Sequence, residues 1–584
     1  MLWIYILKSL ILIRGYKLKK IECDVLVIGG GGAGLRAAVE AKMKGGVVVL
    51  IQKKEMGRSG TTAYEVAELA GYNAADGAGD PEDTPDVHFN DIIKAAQGTC
   101  DEKLVQIIVN ESLESVQYLR ELGIEFVTDE DGKEVITKGC FSSRFRTRMI
   151  IGHGVSISKK LAQKAIKEGV KIFENTMVVD LVITEGSCAG AIALFPSGEK
   201  VFFNSIATIL ATGGDCQLFE FNLNPSDVTG DGYAMGFRAG AQLTNMEFMQ
   251  SGFGVVEPFY NLVGKHLWSI YPRIYNIFGE EFINKYLPLG ITLEKCMEEK
   301  AYHYPFSTRD VSKYLEISVI SELKKTGKYV LLDLRDAFRA KKFKDKIIER
   351  RCKITMDYFK SKGVDIYQEP LKIAVFGHAM NGGLLIDENA STTIPSLFAI
   401  GECAAGPYGA DRLGGDMLLS CQVFGRRAGI AAAKLAKDSQ RIHPSNEDLE
   451  KGSFMLSRFE YLGNGGGDVK ELLIQLRKAS SVLLINRNEK MLLKLLNEIE
   501  MIRERLFSCQ FDRKRLGFAV ELSNLIDSAK IIAESAIYRK ESRGSHYRED
   551  YPNKNANFRR RIIIMIENGK TKVIFERDCK NKKI

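Results

Sequence analysis

Apolar residues recur along this chain in two rhythms, one suited to strands and one to helices. In "CDVLVIGGGGAGLRAAVEAKMKGGVVVLIQKKE", from Cys23, a β-branched run (Val25 to Ile28) leads through glycines into an alanine-rich stretch. A second β-branched run follows, from Val47 to Ile51. That order predicts a β-α-β unit with Gly29-x-Gly31-x-x-Gly34 at its first turn. The first glycine permits the tight bend, the second lets backbone approach a pyrophosphate, and the third lets helix pack on strand. Phosphate oxygens would then face the amides that open the helix. A glycine-rich loop without a ligand is the competing reading, and the flanking strand, helix and second strand count against it. Where the second strand ends, an acidic residue commonly binds the ribose. Gln52 stands there, eighteen residues past Gly34, and its amide can still hydrogen-bond a hydroxyl.

Two helices are expected next, near residues 88–97 and 102–122, the second capped by Asp101. Short apolar strands with turns between them follow: "KIFEN", "MVVDLVIT", "CAGAIALF", "KVFF" and "IATILATGG". They predict a β-meander inserted in a nucleotide-binding sheet. Ala211, Thr212 and Gly213 end the last of them on backbone that can again touch a ligand. Residues 247–360 are aromatic, charged and mainly helical in pattern, which suggests a separate domain. The glycine-rich style resumes at "FGHAMNGGLLID" and completes the first domain. Beyond Pro444 helical periodicity dominates, in "ELLIQLRKASSVLLI" and "EKMLLKLLNEIEMIRERL". The tail "RRRIIIMIENGKTKVIF" predicts a hairpin turning at Asn568-Gly569, preceded by a solvated basic run, Arg559 to Arg561.

Composition narrows the classes of function. The 584 residues suffice for about two to four domains, and 45% hydrophobic with 27% charged residues is ordinary for a globular protein. The 82 basic and 74 acidic residues are mixed along the chain, so the net charge of +8 leaves no nucleic-acid footprint. The excess fits a small anionic substrate. Eleven cysteines are scattered without CxxC spacing, which excludes the usual iron-sulfur and zinc signatures. No metal site is expected, and the thiols suit a reducing, cytoplasmic setting. Electrons must then enter or leave through a partner or a diffusible molecule. The start, "MLWIYILKSLILIRGYKLKK", is too short in apolar length for a transmembrane span and lacks a small-residue cleavage site. It reads as an extension, with a peripheral membrane-surface anchor as the alternative.

Several separated motifs converge on one family: "VIGGGGAGLRAA", "ATGG", "TGDGYAMGFRAGAQLTNMEFMQ", "NIFGEEFINKYLP", "STRDVSKYL", "HAMNGGLLID", "AIGECAAGPYGADRLGGDMLLSCQVFGRRAG" and "RKESRGSHYREDYP". Together they make the chain resemble the flavoprotein subunits of succinate dehydrogenase and fumarate reductase, a group that includes L-aspartate oxidase. The resemblance implies an α/β fold: a Rossmann-like FAD-binding domain with inserted β-meander, an α+β capping domain and a C-terminal helical domain. The expected divisions are an N-terminal extension (1–20), the FAD-binding domain (21–246 and 361–440), the capping domain (247–360), the helical domain (441–552) and a basic tail with the hairpin (553–584). It also implies hydride transfer between flavin N5 and a carbon of a dicarboxylate or related enoate, with electrons exchanged through an iron-sulfur partner. By the same resemblance Gly29, Gly31 and Gly34 hold the pyrophosphate, with Asp231 and Glu402 further along FAD. Ser59, Thr61 and Thr62 lie near the flavin, as do Met417 and Leu418. Arg412 and His378 bind a substrate carboxylate, for which a guanidinium fork is well shaped. Arg309 is implied as the proton donor, whereas its residue type alone supports electrostatic clamping.

The chain departs from the family at three places. Covalent flavin attachment uses a histidine in "RSHT", and "RSGTT" places Gly60 there, so FAD is expected to be non-covalent. The family's "FHPT" is replaced by "SGFG", and no "TE" or "RGEG" motif follows. His266, Glu257 and Arg273 are the candidates to replace the lost groups. L-aspartate oxidase remains an alternative, as does an electron-transfer flavin protein with altered substrate.

Overall fold

The computed structural model describes residues 18–65, 70–327, 329–340, 343, 345–461 and 468–576. Most of the expected extension, residues 1–17, and the tail beyond residue 576 lie outside them. The β-α-β unit forms as β1 (Lys19–Ile28), α1 (Gly32–Met43) and β2 (Val48–Ile51). β1 and β2 pair in parallel from Val25↔Val48 to Ile28↔Ile51, and all eight of these residues are buried. Continuous burial is what a parallel strand covered on both faces requires. β1 starts earlier than its β-branched run: Lys19 and Lys20, counted above with the extension, pair with Val201 and Phe202.

The sheet continues with β3 (Lys171–Phe173), β4 (Met177–Thr184), β5 (Ser187–Leu194) and β6 (Lys200–Leu210), in the order β3-β2-β1-β6-β5-β4. "KIFEN" belongs to the nucleotide-binding sheet, since β3 pairs in parallel with β2. The antiparallel meander is β4-β5-β6. "KVFF" and "IATIL" are one strand, because the polar residues between them cause no turn. Asn204 is buried, and its amide donates to the carbonyls of Ala189 and Ile442, both at 2.9 Å. β6 therefore runs straight to Ala211, beside the glycine turn.

Behind that turn α1 packs on the helix Asp416–Asp438. The approach is close: a Cβ at Gly429 would lie 2.5 Å from the Ala37 carbonyl oxygen. This packing carries the start of the long helix to the site. The helix expected over 102–122 is two, Glu102–Asn110 and Ser112–Glu121, with Asp101 capping the first through Lys103 N at 3.0 Å.

The middle of the chain is less helical than its texture suggests. Its core is a five-stranded sheet in the order Asn261–Leu262, Met249–Val255, Leu371–Met380, Val330–Asp333, Arg273–Tyr275. Met249–Val255 is buried at every position, so no polar alternation marks it as a strand. The central strand, Leu371–Met380, falls on the other side of the division expected at residue 361 and carries His378.

At the C-terminal end the helix Leu516–Tyr538 is apolar around most of its surface and largely buried. The tail forms the hairpin Ile562–Glu567/Lys570–Phe575, with Asn568 and Gly569 at φ 53 and 73. Its first strand also pairs with Leu243–Thr244. Arg561 is not solvated. It is buried and bonded to Asp101 and Glu576, which tie the hairpin to the first domain. No helix among the described residues is long and apolar enough to cross a membrane.

Candidate active site

One continuous cavity runs from the glycine turn to the five-stranded sheet. Its wall includes Gly29, Gly31, Gln52, Ser59, Thr61, Thr62, Ala211, Thr212, Gly213, Asp231, His378, Glu402, Arg412, Met417 and Leu418. Residues far apart in sequence are thereby brought together. Gly34 and Arg309 stand off the wall.

The glycines differ in what they do. Gly29 has φ +109, and a Cβ there would lie 2.2 Å from the Ala211 carbonyl oxygen. Gly34 is a packing residue: its Cβ would meet the Gly29 oxygen at 1.9 Å. Around Gly31 there is open space, and no side chain caps the helix that begins there. Its first amides are free to meet an anion, favoured further by the helix dipole.

Gln52 is buried beside this turn with its Oε1 unpartnered against Gly30, an acceptor left available on the cavity wall. Asp231 is already engaged by its own neighbours. Lys53 Nζ lies 2.8 Å from its Oδ2, while Asn524 and Thr229 donate to its Oδ1 at 2.8 and 2.9 Å. Lys53 also pairs with Glu521 at 2.8 Å, which fastens the helical domain to the site.

The Arg58–Thr62 loop closes over the glycine turn. Gly60 N donates to Asp227 Oδ2 at 3.0 Å, and Thr61 Oγ1 to Asn224 Oδ1 at 2.6 Å. Gly60 has φ +76, in the left-handed region that a residue with a Cβ disfavours. Met417 and Leu418 lie in the first turn of Asp416–Asp438, which has no side-chain cap, so this second helix start also offers amides to the cavity.

Arg412 dominates the far end. It is buried, its Nη2 donates to Gln250 Oε1 at 2.9 Å, its Nε is unpartnered, and among the described residues no carboxylate lies within ion-pairing distance. An isolated buried cation is expensive, and an anionic ligand offsets that cost. His378 is beside it, with Nδ1 unpartnered and the ring pushed down to about 3 by burial and by Arg412. It is therefore a neutral imidazole at working pH. Glu402 is pushed up to about 7 by burial, although the Met380 amide and Arg412 stabilise its anion. Asp215, which sequence reasoning passed over, is raised to about 8 by burial and by Glu402.

Arg309 is tied to Asp411, the residue that precedes Arg412. Its Nε donates to Asp411 Oδ2 at 3.2 Å, and its guanidinium lies 4.3 Å from the Phe141 ring centre. Ser307 and Gln97 also donate to Asp411 Oδ2. The segment Glu541–His546 holds both arginine loops: Gly544 O accepts from Thr308 N at 2.8 Å, and Ser545 N donates to Ala410 O at 3.0 Å. That segment is a buried network in which Glu541 pairs with Arg539 and Arg543.

Of the candidates for the lost motifs, Glu257 pairs with Lys372 and Arg273 with Glu281 and Asp336, and neither lines the cavity. His266 does line it, bonded through Nε2 to Thr355 Oγ1 at 2.8 Å. Lys265 and Tyr304 line it as well, the first beside the candidate His266 and the second just before the Ser307–Leu315 motif, though the sequence reading singled out neither.

A phosphate-ready turn, a second uncapped helix start, an unpartnered Gln52 oxygen and a carboxylate-ready Arg412 along one cavity define a site for a dinucleotide cofactor beside an anionic substrate. Comparison with known proteins gives the group its name. The FAD binding domain family matches residues 24–418, and the Fumarate reductase flavoprotein C-term family matches residues 479–582. One component of the fumarate reductase (CoM/CoB) of Methanothermobacter marburgensis is 33% identical over 93% of this chain and 97% of its own. L-aspartate oxidase of Synechocystis is 28% identical over 93% of this chain and 97% of its own. Among solved structures, Mycobacterium smegmatis Sdh1 superposes with a TM-score of 0.81 at 26% identity, covering 96% of this chain and 94% of that one. The chain belongs to the fumarate reductase/succinate dehydrogenase flavoprotein family, and it is an FAD-dependent oxidoreductase.

Proposed function

We propose that the protein interconverts an enoate dicarboxylate and its saturated form, in the manner of a fumarate reductase flavoprotein, with FAD bound non-covalently. The observation that carries this reading is Arg412, a buried guanidinium on the cavity wall with no carboxylate of the described residues within ion-pairing distance. A substrate carboxylate supplies that charge and fits the fork in two parallel hydrogen bonds. Bound FAD supplies the hydride chemistry. The protein orients the substrate, excludes water and moves a proton.

In this reading the Arg412 guanidinium and the neutral His378 ring bind one carboxylate. Arg309 delivers the proton to the carbon opposite the flavin, for which its guanidinium must reach the cavity wall from its position on Asp411 and Phe141. With 22% of its side chain open to solvent, Arg309 can exchange protons with water, which fits the loss of the family's relay. Gly29, Gly31 and Ala211 to Gly213 hold the pyrophosphate region, Gln52 the ribose, and Met417 and Leu418 the flavin edge. Gly60 supports non-covalent attachment because it has no nucleophile. Relatives named as subunits favour an iron-sulfur partner as the route for electrons, and the free cysteines favour a cytoplasmic setting. L-aspartate oxidation is the weaker reading, since the fumarate reductase relative shares more of the sequence at the same coverage.

The test is to add fumarate to the oxidised protein and record the flavin spectrum. Wild type should show a saturable perturbation that Arg412→Met abolishes while FAD stays bound. An identical response in the variant would remove Arg412 from substrate binding.

A further inference from the structure

The family places a histidine near Ser251 and Gly252, and this chain has only the buried, unpartnered Ser251 hydroxyl and a bare glycine there. Its structure fills the space from elsewhere. A Cβ on Gly252 would lie 2.8 Å from Tyr304 Cζ, so the Tyr304 ring occupies the volume that a side chain at residue 252 would need. The segment carrying Tyr304 is fastened along the same strand, where Phe306 N donates to Ser251 O at 2.7 Å. Tyr304 N donates to Cys140 Sγ at 3.2 Å, which fixes the start of the segment.

Tyr304 is 6% exposed and lines the cavity, and its hydroxyl has no hydrogen-bond partner. Buried hydroxyls ordinarily have one. The ring meets His378 edge to face, with centres 5.3 Å apart, so the hydroxyl belongs to the substrate end of the cavity. Lys265 lines the same cavity. Its ammonium donates to the carbonyls of Lys138 at 3.0 Å and Tyr302 at 3.2 Å, and it forms no ion pair among the described residues. A neutral donor and an unneutralised cation thus share the wall from which the family's groups are missing.

We propose that the Tyr304 hydroxyl, in the space left by Gly252, hydrogen-bonds the substrate carboxylate remote from Arg412, with the Lys265 ammonium supplying the charge. The inference rests on the dicarboxylate reading above. It makes the pair a specificity determinant: the site prefers an enoate carrying a second carboxylate over one ending in a methyl group. Burial pushes the Tyr304 hydroxyl well above its ordinary range, so it stays a donor at any working pH.

The experiment is calorimetric titration of the oxidised holoenzyme with fumarate and with crotonate, its monocarboxylate analogue. Tyr304→Phe keeps the ring and should weaken fumarate about tenfold while changing crotonate less than about twofold. Lys265→Met should weaken fumarate at least as much and serves as the second variant if the first loses FAD. Fumarate binding unchanged in both variants would overturn the inference and leave the dicarboxylate reading standing. So would equal weakening of both ligands, since that reports a change of cavity shape. Failure of wild type to bind fumarate at all would overturn the dicarboxylate reading and this inference together.

Discussion

Arg309 Nε lies 3.2 Å from Asp411 Oδ2, and Asp411 immediately precedes Arg412 in the chain. One short loop therefore fixes the direction of one arginine and carries the other. Arg309→Lys keeps the charge and loses the fork, and turnover should fall by about 10²- to 10⁴-fold with FAD retained. Asp411→Asn keeps the shape and removes the charge-assisted hydrogen bond, so kcat should fall about tenfold with KM little changed. Steady-state rates under anaerobic conditions check both. A normal kcat in Arg309→Lys would remove Arg309 from proton delivery.

Arg412 should act on binding more than on rate. In Arg412→Lys a compact ammonium replaces the planar fork, and KM for the dicarboxylate should rise about 10- to 100-fold. Unchanged KM would mean that the carboxylate binds elsewhere.

Two groups at the substrate end give opposite pH dependences of stability. Burial pushes Glu402 up to about 7 from an ordinary 4.5, so the folded state holds its proton longer. Its contribution to stability is highest at acid pH and declines as pH rises between about 4.5 and 7, by on the order of 3 kcal/mol. His378 is pushed down to about 3 from 6.5, so its contribution is full above 6.5 and is lost as pH falls towards 3. Urea unfolding at a series of pH values checks the signs. Glu402→Gln should make stability rise more steeply with pH, and His378→Gln should reduce the loss on the acid side.

Gly60 has no side chain to bond the flavin, and the reading proposed above has FAD held non-covalently. Acid precipitation of the holoprotein should leave the yellow flavin in the supernatant, and a denaturing gel should show no fluorescent band. A fluorescent protein band would mean a covalent link through another residue.

The parts legible in the sequence are those where backbone geometry dictates residue type. Gly29 must accept φ +109 against the Ala211 carbonyl, and a Cβ on Gly34 would lie 1.9 Å from the Gly29 oxygen, so glycine at both positions announces the turn. The unread parts depend on partners remote in the chain. Asn204 looks like a turn residue until the Ile442 carbonyl arrives to satisfy it, and Arg561 looks solvated until Asp101 and Glu576 bury it. Tyr304 is the clearest case, because its place is set by what Gly252 lacks on another element. Met249–Val255 escaped notice because a strand buried on both faces has no polar alternation to display.

The most direct measurement is anaerobic reoxidation of the chemically reduced flavoprotein, followed by absorbance after mixing with fumarate and, separately, with crotonate. The account predicts rapid, saturable reoxidation by fumarate and slow reoxidation by crotonate. Reoxidation by fumarate no faster than in buffer would contradict it.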